Sequence, residues 1–102
     1  MGLDFTNIAD REGAALYFIH DGQSRSQAAM AKLADEVSRN TDKQIVILSA
    51  SDNDARRIIE FYHLQGSNMI LIIRDNDQLQ HMWQQNETPQ AEHIAYIANQ
   101  IG

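Results

Sequence analysis

Three stretches of this chain are apolar at consecutive positions rather than at alternate ones. Ala14 to His20 reads A-A-L-Y-F-I-H, Gln44 to Ala50 reads Q-I-V-I-L-S-A, and Met69 to Arg74 reads M-I-L-I-I-R. A strand with one face in water alternates apolar and polar side chains; a strand covered on both faces does not. The chain must therefore supply a covering layer for each side of a sheet, which makes it an α/β protein. A fourth run, Gln78 to Trp83, alternates Leu79, His81 and Trp83 against Gln80 and Met82. That pattern predicts a half-buried strand nearer an edge, with Trp83 partly exposed.

Helical patterns fill the gaps. Between Ser26 and Asn40, residues Met30, Leu33, Ala34 and Val37 recur on one face, and Ser24 or Ser26 is the expected N-cap. Ser51-Asp52-Asn53-Asp54 is a capping cluster ahead of Ala55, Ile58, Ile59 and Tyr62, with Gly66 as the expected left-handed stop. Thr88-Pro89 predicts a cap followed by the first helical residue, and Ala91, Ile94, Ala95, Ala98 and Ile101 share one face. A short helix from Asp4 to Glu12, closed by Gly13, precedes the first strand. The first two strands, joined through a helix, are expected to be parallel with a right-handed crossover. Asp75-Asn76-Asp77 joins the last two in a tight hairpin.

The chain has 102 residues and no repeat or linker, so it forms a single domain, 1–102. Its net charge is −6, and the basic residues are scattered, which argues against nucleic acid. No apolar run approaches the roughly 20 residues of a membrane span. No basic start followed by an apolar stretch marks a signal peptide, so the default compartment is the cytoplasm, with an exported mature chain left open. Met1 to Thr6 fits the myristoylation pattern and Asn86-Glu87-Thr88 the glycosylation sequon, both short patterns that recur by chance. The chain holds no cysteine, which removes disulfides, thiolate catalysis and cysteine-ligated metal centres.

The ordered set resembles the thioredoxin-like family. The stretch Tyr62-His63-Leu64-Gln65-Gly66-Ser67-Asn68-Met69-Ile70-Leu71-Ile72-Ile73 is similar to the family's Tyr-Gly-Ile-x-Gly-Ile-Pro-Thr-Leu-x-Leu-Phe segment. Leu16-Tyr17-Phe18 resembles its first core strand, and Lys32-Leu33-Ala34-Asp35-Glu36 its long helix after the active site. Arg74-Asp75-Asn76-Asp77 stands where the family has its Lys-x-Gly hairpin, and the resemblance spans Gly13 to Ile101. It implies a central four-stranded mixed sheet of order 2-1-3-4 with helices on both faces. The departures carry functional weight. The family's Trp-Cys-x-x-Cys falls on Gly22-Gln23-Ser24-Arg25-Ser26, and its cis-proline falls on Asn68. A cis bond before a non-proline costs about 2.5–4 kcal/mol, so a trans Ser67–Asn68 bond is expected.

The resemblance also implies a groove for extended polypeptide, formed by Gln23, Ser24, Arg25, Ser26, Ser67, Asn68 and Met69. The expected function is a non-catalytic protein- or peptide-binding module, such as an adaptor, assembly factor or chaperone-like domain, without disulfide redox activity. No cofactor and no metal site are expected. The competing reading is an enzyme-like protein that holds a small anion at the helix start, Ser24 to Ser26; a third is a structural oligomerising subunit. Serines there are more often plain caps. His20 and Asp21 lie next to Ser24 and Ser26, but a hydrolase needs base and nucleophile in contact, which adjacency does not supply. His20, His63, His81 and His93 show no metal-ligand spacing. Met69, Met82 and Trp83 could line a recognition surface, although such residues more often build core. Finally, the order 2-1-3-4 leaves Ile45 to Ser49 on an edge. Its apolar backbone invites a homodimer or a partner's strand, unless a loop or the first helix packs over it.

Overall fold

Six buried residues in a row make β1 (Ala15–His20) the axis of the molecule. It pairs in parallel with β2 (Gln44–Ser49), Ala15 opposite Gln44 and His20 opposite Ser49. On its other side it pairs antiparallel with β3 (Met69–Ile73), which in turn pairs antiparallel with β4 (Leu79–Trp83). The sheet is mixed and four-stranded, in the expected order β2-β1-β3-β4. The computed structural model describes residues 14–66, 68–74, 78–84 and 89–101. The helix expected over Asp4 to Glu12, the Asp75-Asn76-Asp77 turn, Ser67 with its bond to Asn68, Thr88 and the sequon lie outside these residues.

The runs that form β1 and β3 have the cause inferred for them, burial on both faces. The run that forms β2 does not, because β2 is an edge strand with Val46 buried, Ile45 and Leu48 half-buried and Ile47 exposed. Leu16, Phe18, Ile70 and Ile72 face α1 (Ser24–Ser38) and α3 (Ala91–Gln100), meeting Ala34, Val37, Ile94 and Ala98. Tyr17, Ile19, Leu71 and Ile73 face the opposite way, onto Ala55 and Ile58 of α2 (Asn53–Phe61). Alternate residues of one strand thus enter two different cores. Each large side chain removed from water contributes about 1.5–3 kcal/mol.

Five local expectations change. Gln23, not Ser24 or Ser26, is the N-cap of α1, and it makes no side-chain cap bond. α3 begins at Ala91 after an extended Gln90, so Pro89 lies ahead of the helix rather than at its first position. In β4 the register slips between Ile72 and Ile73: His81 lies opposite Ile72, Leu79 opposite Ile73, and Gln80 is the extra residue. This bulge turns Leu79 onto the α2 side with Met82, breaking the alternation read from the sequence. Trp83 is 6% exposed and belongs to the core beneath α1 and α3, not to the surface.

The fifth change concerns the end of α2. His63, with φ +55°, takes the left-handed position just past the helix. Leu64 N–H donates to Ile59 C=O at 2.9 Å and His63 N–H to Glu60 C=O at 3.3 Å. This is the paired capping pattern that usually has glycine where His63 stands, with Leu64 and Ile59 packed on the same core. Gly66, three residues on, has its own φ of +96°. A side chain at a left-handed position costs about 1–2 kcal/mol, partly offset by glycine's greater freedom when unfolded. His63→Gly is therefore expected to raise stability by up to about 1 kcal/mol. Urea unfolding checks this; a loss of stability would show that the His63 side chain makes a compensating contact.

Candidate functional site

The chain leaves β1 at His20 and must reverse into α1 within Asp21, Gly22 and Gln23. Gly22 makes this possible with φ +89°. Two short bonds set the turn: Gly22 N–H donates to His20 Nδ1 at 3.1 Å, and Gln23 N–H donates to Asp21 Oδ1 at 2.9 Å. His20 is buried, 5% exposed, and its acceptor nitrogen is spent on the loop.

Asp21 also reaches across the fold. Its N–H donates to Asn68 Oδ1 at 3.0 Å, and Asn68 Nδ2 donates back to Asp21 Oδ2 at 3.2 Å. Asn68 immediately precedes β3, so this two-point clasp joins segments 47 residues apart. Ser26, near the start of α1, lies close enough to help hold the same carboxylate's pKa down. Gln23, Ser24 and Arg25 stand exposed beside it, and Ser26 and Asn68 are half-buried. Met69 differs: its side chain is 2% exposed and lies in the core under α2. Met69, Met82 and Trp83 form no common surface, since the two methionines face α2 and the tryptophan faces the other side.

The electrostatics follow from these bonds. The Gln23 N–H holds the Asp21 carboxyl below its ordinary value of 3.8; burial opposes this, while the Asn68 and Ser26 side chains and the nearby His20 add to it. A carboxylate with a lowered folded-state pKa contributes its stability above the unfolded value and loses it as pH falls through the folded one. The stability gap between wild type and Asp21→Ala is thus expected to be full at neutral pH and to close only below 3.8. Denaturant unfolding at a series of pH values measures it; a gap that closes between pH 7 and 5 would contradict this assignment.

The described bonds bear on the anion reading and on the hydrolase reading of this loop. The positive end of α1 already faces the Asp21 carboxylate, which repels a second anion. His20 Nδ1 accepts from Gly22 N–H, and no bond among the described residues joins Ser24 or Ser26 to His20, so the described bonds make no Ser–His–Asp relay. The remaining histidines are dispersed. His63 ends α2; His81 and His93 flank Trp83 at ring-centroid distances of 4.3 and 6.0 Å. Among the described residues no group of three or more histidines and carboxylates could hold a metal ion, and no helix is long and apolar enough to cross a membrane.

Sequence reasoning weighed Asp21 only as a neighbour of a possible triad; its bonds instead join the helix start at Gln23 to Asn68. The available signal was the Asp21-Gly22 pair, a turn signature just ahead of a helix start. No protein-family model matches the chain, and no curated protein or solved structure matches it either.

Proposed function

We propose that this chain is a non-catalytic thioredoxin-like module that binds a protein or peptide partner where the β1–α1 loop meets Asn68. The Asp21–Asn68 clasp is the observation that carries the reading. It joins the two segments that resemble the family's active-site and cis-proline loops. The sheet order, with α1 and α3 on one face and α2 on the other, supports the same reading. Gln23 and Ser26 replace the family's thiols, so the surface has no means of forming a mixed disulfide. What it offers a partner is polar: the Gln23 amide, the Ser24 hydroxyl and the Arg25 guanidinium, all exposed. Such groups pair with backbone amides and with a carboxylate opposite Arg25.

The test uses a partner captured from the source cell and titrated against purified variants. Arg25→Ala and Asn68→Ala are expected to weaken binding by about tenfold or more, while Tyr96→Ala, on the exposed face of α3, leaves it unchanged. Equal affinity for all three would refute the assignment of this surface. Turnover of a disulfide substrate above a thiol-free control would refute the non-redox reading.

A further inference from the structure

The outer side of β2 is defined more sharply than an ordinary sheet edge. Ala50 N–H donates to His20 C=O at 2.7 Å, and His20 lies opposite Ser49 in the parallel register. The backbone groups of Gln44, Val46 and Leu48 therefore turn toward β1, and those of Ile45, Ile47 and Ser49 turn outward. The outward Ser49 N–H is taken by Asp52 Oδ2 at 2.9 Å. At the other end, Lys43 N–H is taken by Thr41 Oγ1 at 3.2 Å, and Thr41 is itself anchored to Asn99 Oδ1 at 2.8 Å. The chain's own side chains cap both ends of the edge. Among the described residues nothing meets the N–H and C=O groups of Ile45 and Ile47 between them. The Ile47 side chain is 43% exposed, whereas its neighbour Phe18 on β1 is fully buried.

We propose that this window seats a second copy of the chain, β2 against β2, in an antiparallel two-fold pairing centred on Val46. Ile45 then lies opposite Ile47 of the other copy, Val46 opposite Val46, and Gln44 opposite Leu48. Ile45 and Ile47 exchange both backbone bonds in each of the two symmetric pairs, so every open group finds a partner. The caps select this register. Centring on Ile47 would set Ile45 against Ser49, whose N–H already belongs to Asp52. Centring on Ile45 would set Ile47 against Lys43, whose N–H already belongs to Thr41. The faces also agree: Ile47 is covered by Ile45 of the other copy, on the side of the sheet that carries α1. Charge is complementary as well. Gln44–Ser49 carries no charged side chain, and Lys43 comes opposite the other copy's Ser49, beside the Asp52 that caps it.

Sedimentation equilibrium of the full chain, with amide exchange at low and high protein concentration, tests the proposal. A dimer is expected, with the Ile45 and Ile47 amides gaining protection as concentration rises. Ile47→Pro removes an outward N–H without breaking a bond to β1, and Ile47→Lys puts a charge into the apolar pair. Both are expected to weaken association by at least about tenfold while keeping the wild-type circular dichroism. Should the proline variant misfold, the lysine variant decides. A monomer at every concentration overturns the proposal, as does a dimer indifferent to both substitutions. Amides protected equally at all concentrations would mean that the chain covers its own edge. Protection that appears only with a foreign protein would mean that the edge serves another strand.

Discussion

A Phe18→Ala variant will lose about 3–5 kcal/mol of folding stability. Phe18 sits on the central strand, wholly buried, facing the core beneath α1 and α3. Its ring is held by β2 and β3 on either side and by two helices above, so the surroundings have little freedom to collapse into the space it leaves. The cost is the lost transfer energy of the ring plus that of the cavity. Small domains have totals of about 5–15 kcal/mol, so the variant will stand near the edge of unfolding. Tyr96→Ala is the control: with 62% of the residue exposed, it should change stability by no more than about 0.5 kcal/mol. Urea midpoints compare the two. Similar costs would mean that Phe18 is not the centre of the core.

The second large effect separates two adjacent positions of β2. Val46 turns its N–H toward β1 and is 9% exposed; Ile47 turns its N–H outward and is 43% exposed. Proline at Val46 deletes a ladder bond, leaves the C=O of the buried Leu16 without its donor and removes a packed side chain. Together these should cost about 3–4 kcal/mol. Proline at Ile47 deletes no bond within the sheet and should cost about 1 kcal/mol. Circular dichroism and denaturant unfolding of the two variants read the difference. Equal damage would mean that the alternation assigned to β2 is reversed or that something pairs with its outer side in the monomer.

Much of this architecture was legible because burial on both faces leaves a strong mark. A run such as Met69-Ile70-Leu71-Ile72-Ile73 has few other uses in a chain with no membrane-length apolar segment. The sheet order followed from the resemblance and the crossover through α1. What the sequence hid were places where one residue decides. Gln80 reads as one more member of an alternating strand, and only its pairing reveals the bulge that moves Leu79 to the other face. The left-handed stop after α2 was expected at Gly66, yet His63 takes it, and nothing in a histidine's sequence context marks such a position. Ser24 and Ser26 read as caps, but the carboxylate of Asp21, outside the helix, takes the neighbouring Gln23 N–H instead.

The candidate site was half legible for a related reason. Spacing from Phe18 brought Gln23 to Ser26 to the helix start, and spacing along the Tyr62 to Ile73 segment brought Asn68 beside it. Hydrophobic pattern carries no information about a polar contact between segments 47 residues apart, so the clasp stayed invisible. Met69 was misjudged because the residue that begins β3 alternates inward, onto α2.

Site-specific photo-crosslinking in extracts of the source cell tests the central claim most directly. A photoreactive residue is placed at Gln23, which is exposed and makes no side-chain cap bond, and in a second preparation at Tyr96. The account predicts a discrete crosslinked partner from position 23, lost in an Asn68→Ala background, and none from position 96. A partner captured from position 96 and not from position 23 would contradict it.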